Sequence, residues 1–111
     1  MACQYVIQQH IGCGEDMGAA TEIVRFRKER NGRIIEVVIW ILSESIPGST
    51  HRFKYRLYYG TVDGICLVRY NNERGKGDHR HVGDAEEVYK FTTLRVLLDD
   101  FEADTERLLL S

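Results

Sequence analysis

Ile34-Ile35-Glu36-Val37-Val38-Ile39-Trp40-Ile41-Leu42 is a nearly unbroken apolar run dominated by β-branched residues. A run of that composition is a central β-strand, covered on both faces. Asn31-Gly32 stands just before it, a pair that tolerates positive φ at both positions and closes a two-residue hairpin. Upstream, Val24 and Phe26 alternate with Arg25 and Arg27, the period of two expected for a strand with one buried face. Downstream, Ser43 to Thr50 holds the only proline, in Ile46-Pro47-Gly48-Ser49, and reads as a turn-bearing loop. Alternation returns from His51 to Tyr59: Phe53, Tyr55, Leu57 and Tyr59 share one face, Lys54, Arg56 and Tyr58 the other. Asp63-Gly64 then turns the chain into a strand over Ile65 to Tyr70. Asn71 to Asp78 is polar and glycine-bearing, hence a loop, with His79 to Val82 as a short strand.

The period changes near the carboxy terminus. Thr92 or Thr93 can cap a helix. Leu94, Leu97, Leu98, Phe101, Leu108 and Leu109 then fall on one stripe at helical spacing. Asp99, Asp100, Glu102, Asp104 and Glu106 lie mostly off it. The expected architecture is α+β: one domain over residues 1–111, an antiparallel sheet of four or five strands, and an amphipathic C-terminal helix packed on it.

The chain has 111 residues, 43% of them apolar, enough for a real core and too few for several. No stretch approaches the roughly 18 apolar residues that span a bilayer, and MACQYVIQQHIGCG lacks the basic start and greasy run of a secretory signal. No membrane association is expected. Three cysteines, Cys3, Cys13 and Cys66, show no CxxC spacing. Free thiols in a reducing, cytoplasmic compartment follow more simply than a disulfide framework. The net charge is −2, but it is unevenly spread. Residues 21–80 hold 12 of the 15 Lys and Arg against 7 acids, and residues 81–111 hold 3 against 8. A basic body with an acidic tail can meet a phosphate backbone on one side; by charge alone, ordinary solvated surface is the plainer account.

The densest polar constellation is Arg69-Tyr70-Asn71-Asn72-Glu73-Arg74-Gly75-Lys76-Gly77-Asp78-His79-Arg80-His81. His79 and His81 sit two apart, so on an extended segment both imidazoles leave one face while Arg80 leaves the other. Histidine alone titrates near neutrality unperturbed, so the pair can take and give a proton. RNA cleavage needs little more. A base removes the 2′-hydroxyl proton, the oxygen attacks the adjacent phosphate, an acid protonates the leaving 5′-oxygen, and cations steady the growing charge. His79 and His81 are the candidate base and acid, with Arg69 and Tyr70 beside them. Asn71, Asn72, Lys76, Arg80, Lys54 and Arg56 are the candidate substrate-binding residues. No metal or cofactor is required by this scheme.

Each part has a duller explanation. Histidines in a polar loop are ordinarily solvated and idle. An H-x-H pair also occurs in metal sites, but only Asp78, with His51 or His10, stands by to complete one. Tyr59 belongs with the packing residues of its strand, and Tyr58 and Tyr70 can be read the same way. Gly75-Lys76-Gly77 lacks the frame of a phosphate loop. The serines have no nucleophile elbow, Cys66 lies within an apolar strand where thiols are inert packing, and Asp99-Asp100 reads as helix solvation.

His51 to Gly60, followed by Val68 to His81, resembles the TumE toxin family, whose members carry an R-Y-D-N segment, then H-x-H, then a C-terminal helix. Val38-Ile39-Trp40 and Pro47-Gly48-Ser49 add to the likeness, which extends from Ile34 to Leu109. The resemblance implies a toxin encoded beside an antitoxin, typically a helix-turn-helix protein, and an attack on RNA or translation. Matched position by position, Arg69, Tyr70, Asn71, Asn72, His79 and His81 are its site residues. Asn71 departs from the family's aspartate, and an amide cannot accept a proton. The function expected is a metal-independent ribonuclease toxin with RNA as substrate. The alternative is a non-catalytic module binding RNA or protein through Arg25, Arg27, Lys54 and Arg56. Apolar rows on edge strands are compatible with a homodimer.

Overall fold

Asn31 (φ 51°) and Gly32 (φ 76°) both take positive φ in the computed structural model, the requirement of a type I′ hairpin turn. The structure describes residues 11–12, 20–45, 50–73 and 75–109. Its strands are β1 (Ile11–Gly12), β2 (Ala20–Arg30), β3 (Arg33–Leu42), β4 (Phe53–Thr61), β5 (Cys66–Glu73), β6 (Gly77–Val82) and β7 (Ala85–Val88), followed by helix α1 (Leu94–Leu109). All seven strands form one antiparallel sheet in sequence order. The expectations for Pro47 and the cysteines Cys3 and Cys13 fall outside the described residues.

Alternation sorts the side chains as read from the sequence. Phe26, Val37, Ile39, Tyr55, Leu57, Tyr59, Val68 and Tyr70 share a single buried cluster with Leu97 and Phe101 of α1. Tyr70 meets the Phe101 ring edge-on at 5.7 Å between centroids. Each such side chain contributes roughly 1.5–3 kcal/mol when fully buried. Thr93 caps α1: its hydroxyl accepts from the Val96 N–H (3.1 Å) and its carbonyl from the Leu97 N–H (3.0 Å). Leu94, Leu98 and Leu108 pack against the cluster as the helical stripe predicts; nothing is described for the Leu109 side chain. Among the described residues no helix is long and apolar enough to cross a membrane.

Two expectations are corrected. The sheet has more strands than four or five, because β1 and β7 add to its edges. β7 has no apolar alternation, and every one of its residues is exposed. It pairs because Gly83 (φ 61°) opens a two-residue turn that hands Ala85 back to Val82. Asn71 to Asp78 is also not a loop. β5 runs on to Glu73 and β6 begins at Gly77. Asn72, wholly buried, replaces a missing rung: its Oδ1 accepts from the Tyr55 N–H (3.1 Å) and its Nδ2 donates to the Phe53 carbonyl (2.7 Å). The side-chain amide acts as a peptide group and carries the pairing past the backbone ladder. Asn72→Ala leaves both β4 groups unpaired and lowers unfolding stability by about 2–4 kcal/mol, to be read as a shift in the urea midpoint at unchanged m.

Candidate functional site

The register lays two rungs across the sheet on the face turned away from α1. One runs Arg27, Glu36, Tyr58, Arg69, His81, Glu86; the next runs Arg25, Val38, Arg56, Asn71, His79, Val88. Between them, on the helix side, lies Phe26, Val37, Leu57, Tyr70, Arg80, Glu87. Strand pairing thus brings together Arg69, Asn71, His79 and His81, and sends Tyr70 and Arg80 through the sheet to the other side.

The face opposite the helix is not evenly wet. Val38 is buried there, and so is His79, whose side chain is 4% exposed, whereas that of His81 is 24% exposed. The two imidazole rings stand 5.8 Å apart, tilted at 69°. Arg69 Nη2 lies 2.9 Å from His81 Nε2. A guanidinium can only donate, so that nitrogen accepts. His79 Nδ1 lies 3.2 Å from the Gly77 carbonyl, which can only accept. The proton of the neutral ring therefore sits on Nδ1, and Nε2 presents a lone pair.

Among the described residues, three buried side-chain polar atoms have no hydrogen-bond partner: Arg69 Nε, Asn71 Oδ1 and His79 Nε2. All three belong to this one patch. A folded chain leaves few such atoms, because each costs desolvation that nothing returns. Their concentration at one place makes this patch the candidate site.

Charge is arranged around the patch with the same economy. Arg25 pairs with Glu22 (2.7 Å), and Arg56 and Arg27 both approach Glu36 (3.2 and 3.7 Å). Arg69 pairs with no carboxylate among the described residues. Lys76, on the β5–β6 turn, reaches Glu86 Oε2 at 2.7 Å, and that ammonium holds the exposed Glu86 carboxyl below its ordinary range. Glu86 Oε2 also lies 3.1 Å from His81 Nε2 and 3.7 Å from His79 Nε2, and Glu73 Oε1 stands 3.5 Å from His79 Nε2. Lys54 donates to the Asn72 carbonyl, and burial pulls its ammonium pKa down. Burial pushes the Cys66 thiol up, away from a reactive thiolate.

The remaining sequence candidates build the scaffold. Tyr70 is completely buried and donates its hydroxyl proton to Asp104 of α1; burial, with that carboxylate beside it, raises its pKa. Arg80 donates to the Tyr70 oxygen (3.0 Å) and to Asp104 (3.3 Å), and pairs with Glu87 (3.3 Å). Tyr70 and Asn72, named as site residues, do not join the histidines, and Arg80 points away from them as the alternation predicts, because odd and even positions of a pleated strand face opposite ways. Asp78, the residue the sequence offered to complete a metal site had there been one, is also on the helix side. It accepts from the Tyr55 hydroxyl and from His51, both at 2.7 Å. The Phe53 N–H donates to His51 Nδ1 (3.0 Å), so His51 Nε2 carries the proton that Asp78 receives. His10 lies outside the described residues.

Glu86 was not legible as a site residue, although one signal existed. Gly83-Asp84 is a two-residue hairpin dipeptide, and folding the chain back on it sets Glu86 directly opposite His81.

Residues 7–109 match the model of the family described as Toxin TumE. No curated protein matches the chain. No solved structure matches it either. The family match extends over nearly the whole chain, including every strand that builds the patch and the helix behind it, so the chain belongs to the TumE toxin family.

Proposed function

We propose that this toxin acts by cleaving RNA on the β5–β6 patch, with His81 and His79 moving the protons and Arg69 holding the phosphate. The observation that carries the reading is the convergence of three orphaned buried polar atoms beside His81, the more exposed of the two imidazoles in the patch. Arg69, free of any carboxylate among the described residues, is the cation left for an anion. Its Nη2 already marks the spot at His81 Nε2 that a phosphate oxygen or an attacking hydroxyl would share.

In this reading His81, partly exposed, takes the 2′-hydroxyl proton, and the freed oxygen closes on phosphorus to give a 2′,3′-cyclic phosphate. His79 lies deeper; in the acid role it enters as the imidazolium, keeping the Nδ1 proton on the Gly77 carbonyl and giving a second proton from Nε2 to the leaving 5′-oxygen, while the proton taken by His81 restores the balance. Arg69 steadies the phosphorane oxygens in a site partly shielded from water. Asn71 hydrogen-bonds the sugar or base without proton transfer, since an amide has no basic lone pair to offer. Tyr70, Asn72 and Arg80 are positioning residues that hold β5 and β6 flat from the opposite side. Membership of a toxin family implies a cognate antitoxin; a helix-turn-helix protein and a cytoplasmic RNA target are the partners we assign.

Purified toxin incubated with end-labelled RNA is expected to release fragments ending in 2′,3′-cyclic phosphate, with chelator present. Arg69→Ala lowers that rate about 10²–10³-fold, the usual loss when one preorganised charge donor is removed. Tight retention of intact RNA with no new ends, weakening steeply in salt, would instead make the protein a binding module.

A further inference from the structure

We propose that His79, His81 and Glu86 form a binding site for a divalent transition-metal ion of the zinc class. His79 Nε2, His81 Nε2 and a Glu86 carboxylate oxygen all lie within 4.8 Å of one another. Ligand atoms around a tetrahedral zinc are separated by about 3.3 Å, given bonds of about 2.0–2.1 Å. The Glu86 oxygen stands 3.1 Å from one imidazole nitrogen and 3.7 Å from the other, so only small side-chain adjustments close the set. Two imidazoles with one carboxylate suit zinc-class ions and leave further positions for solvent or substrate.

Four details favour a cation at that focus over an idle cluster. His79 is nine-tenths buried, its Nε2 has no hydrogen-bond partner, and its Nδ1 is fixed by the Gly77 carbonyl. That is the outer contact which orients a histidine ligand and leaves the opposite lone pair for metal. His81 Nε2 faces incompatible neighbours, a guanidinium donor at 2.9 Å and a carboxylate oxygen at 3.1 Å. A proton on that nitrogen opposes Arg69, and a lone pair opposes Glu86. A metal ion accepts the lone pair of the imidazole and that of the carboxylate together, and the Arg69 side chain must turn off Nε2 to admit it.

The scaffold is also firm. The histidines sit on alternate positions of β6, and Glu86 is the cross-strand partner of His81 on β7, one tight turn away. Lys76, which occupies the Glu86 oxygen, is half exposed and can swing aside.

The site stands on this geometry alone; its effect on cleavage rests on the function proposed above. Both Nε2 lone pairs are committed to the metal, so the loaded toxin cannot pass protons through them. Zinc therefore silences metal-free cleavage, and a chelator restores it.

The test loads the full-length toxin with zinc, dialyses it, and measures metal per chain; cobalt(II) absorption then reports the coordination number. The expected result is one ion per chain with the visible bands of a four- or five-coordinate cobalt site. His79→Ala and Glu86→Gln each weaken binding at least about 10-fold, with the circular-dichroism spectrum kept. His51→Gln, on the other side of the sheet, leaves metal retention unchanged. Absence of retained metal, or retention untouched by His79→Ala and Glu86→Gln together, overturns the site. Cleavage is read separately. Zinc-activated, chelator-sensitive cleavage keeps the site and removes the metal-free mechanism. Metal binding with no cleavage under either condition keeps the site and removes the ribonuclease.

Discussion

Asp104→Ala is expected to lower the free energy of unfolding by about 3–5 kcal/mol, the cost of stripping one partner from a buried charge network. The Asp104 side chain is only 7% exposed and takes hydrogen bonds from the Tyr70 hydroxyl and from Arg80 and Arg107. Removing the carboxylate leaves the Tyr70 hydroxyl proton without its acceptor inside the cluster, and Arg80 with only the Tyr70 oxygen and Glu87. The distinctive part is the recovery. Asp104→Ala with Tyr70→Phe and Arg80→Met deletes the buried part of the network and regains part of the loss, since the remaining Arg107 is exposed and no buried polar group is stranded. Chemical denaturation of the two variants measures both. Equal stability of wild type and Asp104→Ala would mean that the helix is docked without help from this network, by its apolar stripe and its other contacts.

The second large effect is functional. His79→Ala combined with His81→Ala is expected to end growth arrest on induction and to lower RNA cleavage by at least about 10²–10⁴-fold, the contribution of positioned acid–base groups. Stability should stay within about 2 kcal/mol of wild type. His79 Nε2 earns nothing in hydrogen bonding, and deleting an unsatisfied buried atom offsets part of the packing lost with the ring. His81 is partly solvated and tied only to its neighbours on the same face. Growth curves paired with denaturation midpoints separate loss of function from loss of fold. Undiminished toxicity in the double variant would leave the patch without a role.

The contrast between these substitutions follows from which side of β5–β6 each residue takes. Tyr70, Asn72 and Arg80 interleave in sequence with Arg69, Asn71, His79 and His81, yet the two sets serve different surfaces. The first set is hydrogen-bonded to neighbouring strand and helix. The second includes three atoms with no hydrogen-bond partner among the described residues. A polar, glycine-bearing segment looks like a loop because polarity in a sequence does not reveal whether a hydrogen bond will be met inside. Asn72 shows the difficulty: wholly buried, it is satisfied by Tyr55 and Phe53, far away in the chain.

Local chemistry was enough for the greater part of the fold. Asn31-Gly32 closed its hairpin, Ile34 to Leu42 became β3, Phe53 to Tyr59 alternated into the core, and Thr93 began the helix, because each depends on φ preference, side-chain period or a cap a few residues away. Pairing was not local. That Glu86 lies opposite His81, that Asp78 turns to His51, and that Asp104 reaches Tyr70 all depend on which backbones stand side by side, and no short-range pattern carries that information. The candidate site is therefore spelled in adjacent letters but assembled by register, since in a pleated sheet neighbours along the chain part company and strangers across it meet.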